Sequence, residues 1–131
     1  MLDDADRADV QLALTPEVGP LLRMRLLEAL GTAERVLAAS ECDLQRVPGV
    51  GPKIAARIKN SRRDLNLDRQ LQIAEQRDVG LLLPSSDGYP RNLQDIYDPP
   101  SVLFTRGTLE SGDQLAIAIV GTRHCSGYGR Q

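Results

Sequence analysis

A five-residue pattern occurs twice in the chain, at residues 16–20 (PEVGP) and 48–52 (PGVGP), an offset of 32 residues (16 to 48). The residues that follow also correspond in type at this offset: Leu22 with Ile54, Arg25 with Arg57, and Leu26 with Ile58. A proline directly after a glycine suits the first position of a helix that follows a tight turn. The sequence therefore predicts one helix–turn–helix unit used twice.

The character of the sequence changes near residue 78. Before it, apolar spacing and cap residues predict helices at about 5–14, 20–30, 52–62 and 67–77, with Thr32 and Ser40 as further N-caps. After it, apolar runs at 79–83, 101–105 and 115–120 are bounded by Pro, Gly and Asp and predict short strands. The third run is apolar throughout, as in a strand buried on both faces. The predicted fold class is α+β, with an all-α bundle at residues 1–77 and about three short strands in residues 78–131.

The second copy of the repeat, in residues 44–58, looks like a helix-hairpin-helix motif. Its glycines permit a tight turn and close approach of a ligand, and the valine between them fills the gap between the helices. The next helix presents free N–H groups and its positive dipole end, and two basic side chains add salt-sensitive contacts. The candidate DNA-phosphate ligands are Gly49, Val50, Gly51, Lys53 and Arg57. Such hairpins also serve purely for packing, and this alternative stays open.

The first copy differs at the point where a phosphate would approach. Glu17 stands where the second copy has Gly49. Because a carboxylate repels a phosphate, we predict that the first copy has only a structural role.

A second candidate site follows the third apolar run. Residues 116–129 (AIAIVGTRHCSGYG) pass from a strand into a glycine-containing loop, and ligands of open α/β sheets bind at this end of a strand. Glycine leaves room for a phosphate, threonine and arginine donate hydrogen bonds to it, and serine caps the helix expected next. The candidate ligands are Gly121, Thr122, Arg123, Ser126 and Gly129.

Together these motifs resemble the DNA processing protein A (DprA/Smf) family over nearly the whole chain. The resemblance is also carried by the stretches 81–83, 87–90 (DGYP), 98–100 (DPP) and 102–107 (VLFTRG). It implies a SAM-like helix-hairpin-helix domain at residues 1–77. It further implies that residues 78–131 begin a Rossmann-like domain and stop where its first helix should start. On this basis we expect a truncated gene product or a fragment.

The resemblance also implies a function. Members of the family are expected to bind single-stranded DNA taken up by the cell, to protect it, and to help load a RecA-type recombinase during natural transformation. They are expected to act as dimers, without catalytic residues or a cofactor. For this chain the expected partners are single-stranded DNA and a RecA-type recombinase, with a homodimer in the full-length form and impaired DNA affinity in the short one.

Charge and composition restrict the type of DNA binder, the cellular location and the kind of site that the chain can contain. A net charge of −2 excludes a globally basic nucleic-acid binder, but backbone amides hold phosphate without net positive charge. The apolar runs are too short to span a bilayer and the N-terminus does not resemble a signal peptide, so we predict a cytoplasmic protein without a membrane partner. Cys42 and Cys125 are predicted to be reduced thiols, and a single histidine, His124, leaves no His/Cys cluster for a metal.

Parts of the sequence raise three other possible functions, which the residues support to different degrees. In some DNA glycosylases a lysine at the position of Lys53 forms a Schiff base, assisted by an aspartate for which Asp68 and Asp78 are candidates, although so short a chain leaves no room for a base pocket. A helical protein–protein interaction module would suit the acidic net charge. A Rossmann nucleotide enzyme is disfavoured because no acidic ribose ligand follows at the required distance.

Overall fold

The structure is a computed structural model that describes residues 2–110, together with residues 112, 117 and 127. This part of the chain contains seven α-helices and two β-strands. The helices are α1 (Asp4–Ala13), α2 (Pro20–Leu30), α3 (Ala33–Ala38), α4 (Glu41–Gln45), α5 (Pro52–Asp64), α6 (Leu67–Gln76) and α7 (Arg91–Gln94). The strands are β1 (Gly80–Leu82) and β2 (Leu103–Thr105). The predicted α+β class is confirmed.

Side-chain caps explain where four of the helices begin. In each, the N-cap oxygen accepts a hydrogen bond from the backbone N–H three residues later: Asp3 before α1, Thr32 before α3, Ser40 before α4 and Asn66 before α6. The two caps predicted from the sequence, Thr32 and Ser40, are thus confirmed. The helices α2 and α5 begin differently, each at a proline that follows a glycine.

One apolar core joins the first five helices. Leu26 of α2 and Ile58 of α5, which correspond in the repeat, are 0% and 1% exposed and lie in the same cluster. The other buried members of the cluster are Ala8, Leu12, Val18, Ala33, Val36, Leu37, Leu44, Val47, Val50 and Ala55. Because both copies of the repeat contribute equivalent residues to one core, they form a single packed unit.

The two strands form an antiparallel pair in which Gly80 lies opposite Thr105 and Leu82 opposite Leu103. The connection between them is held by polar contacts. The buried Tyr89 hydroxyl donates to the carbonyl of Pro100 at 2.6 Å, and burial raises the pKa of this phenol. The predicted strands at 79–83 and 101–105 are therefore confirmed, each somewhat shorter than expected.

A second apolar cluster connects the strand segment to the helices. Leu83, directly after β1, packs with Val10 of α1 and Leu67 of α6, and all three side chains are buried. The predicted boundary near residue 78 thus coincides with a change from helix to strand, yet apolar packing crosses it.

The third predicted strand, at 115–120, lies outside the described residues except for Ile117. The side chain of Ile117 is exposed and this residue belongs to no strand.

Candidate functional site

The two hairpin turns have the same backbone conformation. Glu17 and Gly49 both lie in the left-handed region, with φ of 70° and 94°. Two residues later, Gly19 and Gly51 are extended, with φ/ψ of −77°/173° and −84°/173°. The repeat seen in the sequence is therefore a structural repeat.

Each turn is closed and anchored in the same way. The N–H of Val18 donates to the carbonyl of Thr15 at 3.1 Å, and the N–H of Val50 donates to that of Val47 at 3.0 Å. Both central valine side chains are buried in the helical core, at 6% and 5% exposure. Val50 therefore plugs the hairpin as predicted, and its side chain is not available to a ligand.

The N-terminus of α5 is open. No side chain caps it, and its first residue, Pro52, has no N–H. The first amide with a bonded acceptor in this helix is that of Ala55, which donates to Gly51 at 3.0 Å. Within the described part of the chain, the N–H groups of Lys53 and Ile54 have no acceptor. This helix end is therefore suited to an anion.

Both basic side chains of the candidate site are bound to Glu17. The Lys53 Nζ lies 3.1 Å from Glu17 Oε1, and the Arg57 Nη1 lies 2.9 Å from the same oxygen. The carboxylate of the first copy thus lies against the cations of the second. We predicted from the sequence that the first copy has only a structural role, and that prediction did not foresee an ion pair between Glu17 and the second copy.

An equivalent arginine makes the reciprocal contact. Arg25, which corresponds to Arg57, donates from Nη1 to the carbonyl of Pro48 at 3.4 Å. Each turn is therefore approached by an arginine from the other copy. A Cβ atom at Gly49 would lie 3.4 Å from Arg25 Nη1 and 3.4 Å from Leu22 Cδ1.

We expect Gly49→Ala to lower the free energy of unfolding by about 1–2 kcal/mol, because its φ of +94° disfavours any L side chain. Gly51→Ala is the matched control, since its φ is ordinary and a Cβ would meet nothing within 4 Å. Urea denaturation followed by circular dichroism measures both. Equal losses for the two variants would contradict the role assigned to the left-handed turn.

Hydrogen bonding from Lys53 is the main cause that holds the pKa of the Glu17 carboxyl below its ordinary value of 4.5, opposed by desolvation and aided by the positive charges of Arg57 and Lys53. Because the pKa is lower in the folded state, the ion pairs stabilise the fold above pH 4.5. This contribution is lost as the pH falls through the depressed value.

Wild type is therefore expected to melt at a higher temperature than Glu17→Gln at neutral pH, with a difference that shrinks below pH 4.5. Thermal denaturation across this range tests the expectation. Glu75→Gln, which removes an exposed carboxylate from α6, controls for net charge. A wild-type advantage that stays constant down to acidic pH would show that the pairs do not contribute.

The loop predicted to bind phosphate lies outside the described residues, and its candidates Gly121, Thr122, Arg123, Ser126 and Gly129 stay predictions. His124 and Cys125 also lie outside them. Cys42 is an exposed free thiol.

The residues considered for a glycosylase reaction are not brought together. Asp68 pairs with Arg7 of α1, Asp78 is exposed after α6, and the Lys53 amine is bound to Glu17. In the described ranges, no three His, Cys, Asp or Glu side chains are placed to hold a metal ion. No helix within these ranges combines the length and the apolar character needed to cross a membrane.

Two family models match the chain in separate segments. Residues 12–64 match the SAM-like helix-hairpin-helix tandem, and residues 80–131 match DNA recombination-mediator protein A. The first segment contains both hairpins, which confirms the predicted SAM-like helix-hairpin-helix domain. The second contains β1, β2 and the predicted phosphate loop.

Two relatives match most of the chain, and a third matches a shorter part of it. Protein Smf of Synechocystis is 35% identical over 86% of this chain and 29% of its own length. DNA processing protein DprA of Bacillus subtilis is 35% identical over 96% of this chain and 43% of its own length. UvrABC system protein C of Natronomonas pharaonis is 47% identical over 53 residues, which are 40% of this chain and 9% of that protein.

No solved structure matches the chain significantly. The chain spans less than half the length of the Smf and DprA relatives. Their identity over most of the chain agrees with the two segment matches, and the chain belongs to the DNA processing protein A (DprA/Smf) family.

Proposed function

We propose that the chain is a DNA-binding module that holds single-stranded DNA by its phosphates in the cytoplasm, without catalysing a reaction. In its full-length form the protein would act as a homodimer and assist the loading of a RecA-type recombinase. The observation that carries the proposal is the open N-terminus of α5, where the free N–H groups of Lys53 and Ile54 lie beside two basic side chains.

The geometry of the second hairpin supports phosphate binding without base readout. Gly49 and Gly51 are exposed and have no side chains to hinder a backbone phosphate. The 13 residues of α5 give its N-terminus a full helix dipole, which favours an anion. Lys53 is 72% exposed and therefore accessible to DNA. Contacts of this kind carry no sequence information, so the proposed binding is independent of base sequence.

The loop after residue 120 is the second proposed phosphate site. The residues that would bind the phosphate are Gly121, Thr122, Arg123, Ser126 and Gly129, and Ser126 would also cap the helix that follows. Two separated sites would allow one strand to be held at two phosphates. Both sites therefore have to be tested in the same chain.

Fluorescence anisotropy with a labelled oligo-dT tests the proposal. We expect binding at low salt that weakens as salt rises, and the salt slope should fall by about 0.7 for each phosphate that a variant no longer neutralises. Lys53→Ala tests the hairpin and Arg123→Ala tests the loop. Arg62→Ala is the matched control, because it removes an exposed cation from the C-terminal turn of α5. Absence of binding by the wild-type chain at low salt would refute the proposal.

A protein–protein interaction module is the second candidate function. The observation that favours it is the ion pairing of both hairpin cations with Glu17, which offsets part of their positive charge, in a chain of net charge −2. An apolar groove of about 430 Å³ also lies between α2 and residues 97–101, lined in part by Met24 and Tyr97, which are 38% and 82% exposed. This function gains support if purified chain binds no DNA at low salt.

A further inference from the structure

We propose that Glu17 is an intramolecular competitor of DNA phosphate and sets the affinity of the hairpin for DNA. The inference rests on the proposed function, because it concerns the same hairpin. It assigns to the first copy of the repeat a regulatory role toward the second.

The contact geometry is that of a bound anion. A single carboxylate oxygen, Glu17 Oε1, receives both the Lys53 Nζ at 3.1 Å and the Arg57 Nη1 at 2.9 Å. A phosphate oxygen at the N-terminus of α5 would need the same two donors. Lys53 and Arg57 therefore bind a phosphate freely only after their ion pairs with Glu17 have broken. If the pairs stay intact, the phosphate lies close to the negative charge of Glu17.

The backbone holds the carboxylate in this place. Glu17 occupies the left-handed region at φ 70°, inside a turn anchored by the buried side chain of Val18. The turn itself does not require a carboxylate, because Gly49 forms the same turn in the second copy. The left-handed backbone conformation favours glycine at this position and disfavours glutamate. The contribution of Glu17 is therefore made by its side chain, through the ion pairs with Lys53 and Arg57.

The two copies differ in charge and form complementary halves. Lys53 of the second copy corresponds to Leu21 of the first, so α2 lacks the first-turn cation that α5 has. The arginine of the first copy, Arg25, reaches a neutral carbonyl, that of Pro48, whereas Arg57 reaches the carboxylate of Glu17. The first hairpin therefore supplies an anion and the second supplies cations. The tandem offers one phosphate site with an internal competitor, not two equal sites.

The competitor weakens binding without abolishing it. Lys53 is 72% exposed and Glu17 is 42% exposed, so solvent screens the ion pairs and they open readily. Exposed pairs of this kind correspond to about two- to fivefold each in an equilibrium constant. Removal of the carboxylate should therefore tighten DNA binding by about three- to tenfold.

The test compares Glu17→Gln with wild type and with Glu75→Gln by oligo-dT anisotropy at low and moderate salt. Glu75→Gln makes the same change in net charge on the exposed face of α6. Circular dichroism confirms that each variant is folded. We expect Glu17→Gln to bind about three- to tenfold more tightly. Its salt slope should steepen by up to about 1.4, because two cations become available to phosphates. Glu75→Gln should stay close to wild type.

A double variant that lacks both cations shows whether Glu17 acts through Lys53 and Arg57. In a chain that already carries Lys53→Gln and Arg57→Gln, the change Glu17→Gln should no longer tighten binding. Tighter binding that persists there would overturn the proposal, because the effect would be one of general charge.

The remaining outcomes separate this inference from the proposed function. If wild type binds, Arg123→Ala abolishes binding and Glu17→Gln changes nothing, the inference fails and the proposed function stands. If wild type fails to bind at low salt and Glu17→Gln binds, the proposed function fails for the wild-type chain, while the carboxylate is still the competitor inferred here. If neither binds at low salt, both proposals are overturned.

Discussion

Leu26→Ala and Ile58→Ala are each expected to lower the free energy of unfolding by about 2–5 kcal/mol. Leu26 is 0% and Ile58 is 1% exposed, and both lie in the core shared by the first five helices. Each truncation removes apolar packing and leaves a cavity that rigid neighbours fill only in part. For a small domain this loss is a large part of the total stability.

The two variants form a matched pair because Leu26 and Ile58 occupy the same position in the two copies. The structural repeat predicts losses of similar size, and it predicts that the double variant is not additive because both side chains pack in one cluster. Met24→Ala is the control on α2, since Met24 is 38% exposed and should cost less than about 1 kcal/mol. Urea denaturation provides the measurement. If the core variants lose no more free energy of unfolding than Met24→Ala, the assignment of Leu26 and Ile58 to a shared core is wrong.

The sequence was sufficient to predict the helical repeat because local rules determine it. A glycine followed by a proline determines where α2 and α5 begin, and Thr32 and Ser40 determine where α3 and α4 begin. These signals act over a few residues and do not depend on what packs against them. The same reasoning predicts Gly49 and Lys53 as parts of a phosphate site, and this assignment stays a prediction.

Contacts between distant segments were not predictable in the same way. The offset of 32 residues shows that Glu17 corresponds to Gly49, but it does not show which faces of the two copies meet. Only the packing of the hairpins brings Glu17 to Arg57, 40 residues away in sequence. The sequence signal for this contact is that Glu17 replaces the glycine of the other copy, while that other copy carries the two cations Lys53 and Arg57.

The connection between the strands was also missed in part. The helix α7 lies in a stretch rich in proline and without apolar periodicity, so local sequence rules do not predict a helix there. Its surroundings are held by hydrogen bonds within the connection, from Tyr89 to Pro100 and from Gln94 to the carbonyl of Pro84 at 2.9 Å, which span 11 and 10 residues.

Leu83→Ala is expected to lower the free energy of unfolding by about 2–4 kcal/mol and to destabilise the helices together with the strands. Leu83 is 2% exposed, and its buried neighbours Val10 and Leu67 belong to α1 and α6. Truncation of Leu83 therefore leaves a cavity next to α1 and α6, the helices that precede the proposed domain boundary between residues 77 and 78. Phe104→Ala is the control on β2, because Phe104 is 52% exposed.

Two probes decide whether the strand segment and the helices unfold as one unit. All three tyrosines, Tyr89, Tyr97 and Tyr128, follow residue 78, so tyrosine fluorescence reports on that part of the chain, whereas far-ultraviolet circular dichroism reports mainly on the helices. If packing through Leu83 couples the two parts, both signals change at one urea concentration and shift together in Leu83→Ala. A fluorescence transition that shifts alone would mean that the helical domain is stable by itself. The boundary at residue 78 would then separate two independent folding units, and the hairpin site could be studied without the strands.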